Sequence, residues 1–112
     1  MKAILQATSA IVTLALASLA HAEISHYSTI KQLYALADGN FALILNADSS
    51  SCTSPSSPDY YYIVVGQNGM TQEGAKKIFA TASLAFATSK GVWIAFDEST
   101  SNCYINRLSV VD

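Results

Sequence analysis

Apolar positions cluster into four runs with distinct periods. Residues 41–45 (Phe41 to Leu45) and 60–65 (Tyr60 to Val65) are short, rich in aromatic and branched side chains, and bounded by turn formers. Residues 91–96 and 103–111 share these features. Such runs predict β-strands. Between the second and third strand, Ala75, Ile78, Phe79, Ala82, Ala85 and Phe86 recur at three and four, the period of one helix face. A helix is therefore predicted over 71–90, with Thr71 as its N-cap and Glu73 in the first turn. Lys90 is expected in the last turn and Gly91 in the left-handed position just beyond. Gly74 costs that helix about 1 kcal/mol relative to alanine.

Residues 29–37 fit two periods. Thr29 and Gln32 have the spacing of a capping box, with Ile30, Leu33, Tyr34 and Ala37 on one helix face. Ile30, Gln32, Tyr34 and Leu36 also alternate, and Asp38-Gly39 is a hairpin turn leading straight into Phe41. A helix would have to stop and become a strand within about two residues, so the strand is preferred. The order is then β-β-β-α-β-β. A helix between the third and fourth of five strands in so small a chain suggests an oligonucleotide/oligosaccharide-binding (OB-fold) barrel, mainly β with one helix. A plainer alternative is an antiparallel sheet with one helix on it.

The N-terminus reads differently. Lys2 precedes an apolar stretch densest from Ala10 to Leu19, and Ala20-His21-Ala22 supplies small residues at −3 and −1. That is the order of a cleavable secretory signal over 1–22, cut between Ala22 and Glu23. A membrane span needs about 20 apolar residues, and Thr8, Ser9, Thr13 and Ser18 interrupt this stretch. The mature chain, 23–112, is thus read as one domain without a membrane span, secreted or periplasmic. It carries Lys31, Lys76, Lys77, Lys90 and Arg107 against eight acidic side chains, so it offers no footprint for nucleic acid.

Export makes the cysteines informative. The chain has two, Cys52 and Cys103. In an oxidising compartment they allow only one internal pairing. That bridge closes a loop of roughly 50 residues, which chain entropy values at about 4 kcal/mol. Cys52 lies in a polar stretch, 46–59, that holds both prolines and must be a loop. The bridge would pin this excursion to the final strand.

Residues 82–97 combine an Ala/Leu helix, a Ser-Lys turn and a V-x-I strand, and 102–111 follow as a Cys-bearing closing strand. With Cys52 on a loop after a strand, this pattern resembles small secreted bacterial proteins related to the B subunits of AB-type toxins, the subtilase-cytotoxin and pertussis-like groups. The resemblance covers about Phe41 to Val111. It implies an OB-fold domain, a ring homo-oligomer such as a pentamer, a host glycan as ligand and a catalytic A subunit as partner. The chain is shorter than those subunits, and no glycan-contacting motif can be matched residue by residue.

Enzymatic chemistry finds little support. His26, alone after the leader, lies in an N-terminal segment expected to fray. Asp97 and Glu98 are adjacent and would point apart on a strand. The bridged cysteines leave no thiol nucleophile, and Gly66 to Gly69 lacks the phosphate-loop spacing. No catalytic, cofactor or metal residue is assigned. Binding is better served. Of Tyr60, Tyr61 and Tyr62 at least one ring must point outward, and Trp93 opposes the core face of Val92, Ile94 and Phe96. Exposed rings suit sugar stacking or a subunit interface. Thr81, Leu84, Ala85 and Thr88 form a second helix face that could meet a neighbouring chain. The expectation is a secreted, non-enzymatic binding module, against the alternative of a monomeric secreted or periplasmic interaction domain of unknown ligand.

Overall fold

A computed structural model describes residues 23–112; the expected leader lies outside the described residues. The strands are β1 (Glu23–Ala35), β2 (Phe41–Leu45), β3 (Tyr61–Ile63), β4 (Gly91–Asp97) and β5 (Ile105–Val111), with one helix, α1 (Gln72–Ala87), between β3 and β4. All five strands form one antiparallel sheet in the order β3-β2-β1-β4-β5. No described helix is long and apolar enough to cross a membrane.

The ambiguous segment is a strand, and it starts earlier than its sequence suggests. Glu23 to Thr29 pair with β4, then Ile30 to Ala35 pair with β2, with a register irregularity between Ile30 and Gln32. His26 is therefore not on a frayed end. It sits opposite Ile94, and its Nε2 donates to the Ala47 carbonyl at 2.7 Å. β1 and β2 are connected by Leu36 to Asn40, whose ends pair through Leu36 N to Asn40 O at 2.9 Å around a three-residue turn, Ala37 to Gly39, with Gly39 N bonded to Leu36 O at 3.1 Å. Gly39 adopts φ +91°, the left-handed residue that such three-residue hairpins require.

The inward face carries the core. Phe41, Leu43, Leu45, Tyr61, Ile63, Val92, Ile94, Phe96 and Ile105 are essentially sealed from solvent. Helix α1 lays Ala75, Ala82 and Ala85 against them, small side chains that let its backbone approach the sheet closely. Phe79 and Phe86, expected in that stripe, remain 39% and 44% exposed. The three alanines already fill the space beneath the helix, so the larger rings lie on its flank.

Thr71 caps α1 as expected, its side chain accepting from Gly74 N at 3.0 Å. A Cβ at Gly74 would stand 3.0 Å from that Thr71 oxygen, so glycine here keeps the cap uncrowded. The C-terminus differs from expectation. The last helical residue is Ala87, and Lys90 N bonds Ala85 O while Ser89 N bonds Phe86 O, the two bonds of a Schellman motif. The left-handed residue is Ser89 (φ +57°), not Gly91. Gly91 instead opens β4, and Lys90 reaches beyond the helix to Asp112 at 2.6 Å.

The disulfide joins Cys52 to Cys103, with Cα atoms 5.7 Å apart. Cys103 precedes β5 rather than lying in it: it has φ +48° and ends the loop whose backbone meets β3 through Tyr62 N to Asn102 O at 3.4 Å.

Because serine holds a backbone conformation that glycine reaches without steric cost, Ser89→Gly should raise stability by up to about 1 kcal/mol. Urea unfolding followed by circular dichroism measures it, and a lowered midpoint would contradict the cap geometry.

Candidate functional site

Cross-strand partners in an antiparallel sheet share a face, so the register sorts the aromatic side chains. Tyr27 stands opposite Trp93, which stands opposite Ser109; Ser25, Ala95 and Arg107 form the next row. This is the outward face, since Val92, Ile94 and Phe96 occupy the alternate inward positions. Tyr27 and Trp93 are 46% and 49% exposed with ring centroids 5.6 Å apart. The Tyr27 ring lies across Gly91, where its Oη and Cζ occupy the space any Cβ would need. That cover explains a buried glycine on the outward face. Ser25, Trp93, Ala95, Arg107 and Ser109 border a shallow cavity of about 460 Å³ that also reaches Asn106, Leu108 and, on α1, Ile78. Arg107 has no ion pair among the described residues, and the Asn106 Oδ1 is buried without a hydrogen-bond partner.

A second aromatic group occupies the other half of the sheet. Tyr34 pairs with Ala42, which pairs with Tyr62, again on the outward face. Tyr34 contacts Tyr60 at 5.7 Å and Tyr60 contacts Tyr62 at 6.0 Å. Ala42 and Ile44 are buried on this face although they lie outside the main core. The tyrosine cluster covers β2 from outside, which gives these rings packing as well as exposure.

The middle tyrosine goes inward. Tyr61 is fully buried, stacked edge-on to Phe96 at 5.5 Å. Its hydroxyl accepts from Ser49 N at 2.8 Å and donates to Asp48 Oδ1 at 3.4 Å, while Asp48 Oδ2 accepts from Asp59 N at 3.1 Å. Burial holds the Tyr61 hydroxyl protonated well above its usual range, with the Asp48 and Asp59 charges adding to the effect. Burial, then the charge of Asp48, likewise raises the Asp59 carboxyl above its ordinary value. Tyr61 thus anchors the 46–59 loop from within while Cys52 anchors it covalently. Neither Asp48 nor Tyr61 is marked by a spacing motif, and the sequence reading missed their pairing.

The remaining sequence candidates divide. On α1, Leu84 is 59% exposed and Thr88 is exposed, with Thr81 half-buried beside them. Ala85, placed on the same face by spacing, is instead fully buried in the core. Asp97 is buried in β4, where its Oδ1 accepts from Ser99 N at 2.9 Å, whereas Glu98 is exposed in the following turn. No group of His, Cys, Asp and Glu suited to a metal ion occurs among the described residues.

Tyr61→Phe strands the Ser49 amide in a buried site and should cost about 1–3 kcal/mol in denaturant unfolding; an unchanged midpoint would refute the anchoring. Asp59 has a raised folded-state pKa, so its contribution to stability is full below the ordinary carboxylate value of 3.8 and is lost as pH rises through the folded value. Asp59→Asn should therefore unfold at higher denaturant than the parent at neutral pH, with the advantage vanishing in acid. Comparison with protein-family models, curated proteins and solved structures returned no significant match, so the chain is characterised by its own geometry.

Proposed function

We propose that this chain is a secreted, non-enzymatic binding module with an OB-like barrel, whose outward rings stack on sugar. The barrel reading draws on the helix between the third and fourth strands and on β1 pairing with both β2 and β4. It also draws on the Tyr62 N to Asn102 O bond, which ties edge strand β3 to the loop before β5. The disulfide fits an extracellular or periplasmic location.

The observation that carries the sugar reading is the Tyr27–Trp93 pair. An exposed indole braced by a second ring is a flat platform for the C–H face of a pyranose. Ser25, Ser109 and Arg107 surround it with donors for ring hydroxyls. The Tyr34, Tyr60 and Tyr62 cluster offers a further stacking surface on the same face.

A ring homo-oligomer, with a catalytic A subunit as partner, belongs to the same proposal, and the exposed Leu84 with Thr81 and Thr88 is its contact surface. The burial of Ala85 narrows that surface and favours the second reading, a monomeric interaction domain of unknown ligand.

A glycan array followed by titration separates the two. Saturable binding is expected, weakened about tenfold in a folded Trp93→Ala variant and less in Tyr62→Ala. A blank array with folded parent protein would end the sugar reading. Light scattering that stays monomeric from micromolar concentration upward would end the ring.

A further inference from the structure

The sheet has two edge strands, β3 and β5, and they are finished differently. β3 is three residues long, and its Tyr62 N already bonds Asn102 O at 3.4 Å. β5 runs for seven residues, and no strand among the described residues pairs with its outer side. Edge strands are ordinarily protected by brevity, proline, lysine or a bulge, because their free N–H and C=O groups recruit another strand. In β5 the irregularity lies at the start, opposite Ala95 and Phe96, and Arg107 is the one charge. From Leu108 to Val111 the edge is uncharged, regular and without glycine or proline.

The two faces of β5 decide what fits that edge. Leu108 and Val110 point inward opposite Ile94 and Val92, yet both stay half-buried, with no strand beyond them among the described residues. Ser109 is exposed on the outward face. A second β5 laid antiparallel about a two-fold axis through Ser109 sets Leu108 against Val110, Ser109 against Ser109, Arg107 against Val111 and Asn106 against Asp112. Apolar then meets apolar on the inward face, an amide meets a carboxylate, and no like charges oppose each other. An axis through Leu108 would oppose Asn106 and Val110, one through Val110 would oppose Leu108 and Asp112, and one through Arg107 would bring two guanidinium groups together. A head-to-tail contact of β5 with β3 offers only three residues, one of them with its N–H engaged.

We infer that β5 is a self-association edge, at which a second copy of this chain adds its own β5 to give a closed two-fold dimer with one continuous antiparallel sheet. The axis runs perpendicular to the sheet, so the outward faces of both copies, each with its Tyr27–Trp93 pair, lie on the same side. The contact uses neither α1 nor the sugar reading and stands without them.

Sedimentation velocity of the 23–112 domain from micromolar to millimolar concentration tests this. A single strand pair is a small interface, so a monomer–dimer equilibrium in the micromolar range is expected. Ser109→Lys places two ammonium groups at the axis and should weaken the dimer more than about tenfold, whereas Leu84→Ser on α1 should leave it unchanged. Ser109→Cys reports the register even if the lysine variant fails to fold. Opposed Cα atoms in antiparallel pairs stand about 4.5–5.5 Å apart, within disulfide reach, so air oxidation should cross-link this variant. Val111→Cys, which faces Arg107 of the second copy, should not cross-link. A parent that stays monomeric, as it would if the edge serves an extended segment of another protein, overturns the inference. So does a dimer indifferent to Ser109→Lys, or equal cross-linking by the two cysteine variants.

Discussion

The register change within β1 governs the rest of the molecule. Because side chains alternate with a period of two, one strand serving two neighbours must keep its apolar residues inward on both. Tyr27 points outward opposite Trp93, and with strict alternation Tyr34 would point inward and Leu33 outward. The irregularity between Ile30 and Gln32 reverses the parity, so Leu33 joins the core beside Leu43 while Tyr34 returns to the outward face beside Ala42. Two aromatic groups thereby share one face. A bulge here also increases local twist, which lets a 13-residue strand leave β4 and take up β2.

Around that strand the domain is held by few but varied restraints. Its sealed core is modest, as expected at this size, and part of it faces a long irregular connection, 46–59, rather than regular structure. Two restraints act on that connection from different directions. The Cys52–Cys103 bridge limits the unfolded chain, and the Tyr61 hydroxyl satisfies the Ser49 amide in the folded one. Asn68 adds a third tie elsewhere, its Nδ2 donating to Tyr104 O at 2.8 Å and linking the turn after β3 to the segment before β5.

Much of this was legible from pattern. Helix α1 announced itself by its period and its Thr71 cap, the four apolar runs became strands, and the two cysteines paired with each other as expected. The failures share a cause: they occur where tertiary contact decides. Residues 23–28 carry no strong strand signal because half of them face solvent and their partner β4 is remote in sequence. Gly91 read as a helix terminator because glycine usually is one, yet here it makes room for a ring. Ala85 suits an interface and a core equally by spacing, and only the packing distance between helix and sheet assigns it to the core. The Tyr61–Asp48–Ser49 contacts join positions with no mutual motif. Of the proposed ligand surface, Trp93 was visible as the odd residue in an apolar strand, whereas Tyr27, Tyr34 and Arg107 required the register.

The glycine beneath Tyr27 has a wider implication. A ring that rests on bare backbone has one face already occupied and little freedom to swing, so whatever it meets in solvent encounters an ordered surface and loses less entropy on contact. Position 91 is thus a remote control on the platform. A methyl there would lift the phenol away from Trp93 without touching either ring's chemistry, so a change at this one backbone position would reshape the proposed ligand surface from underneath while its exposed residues stay the same.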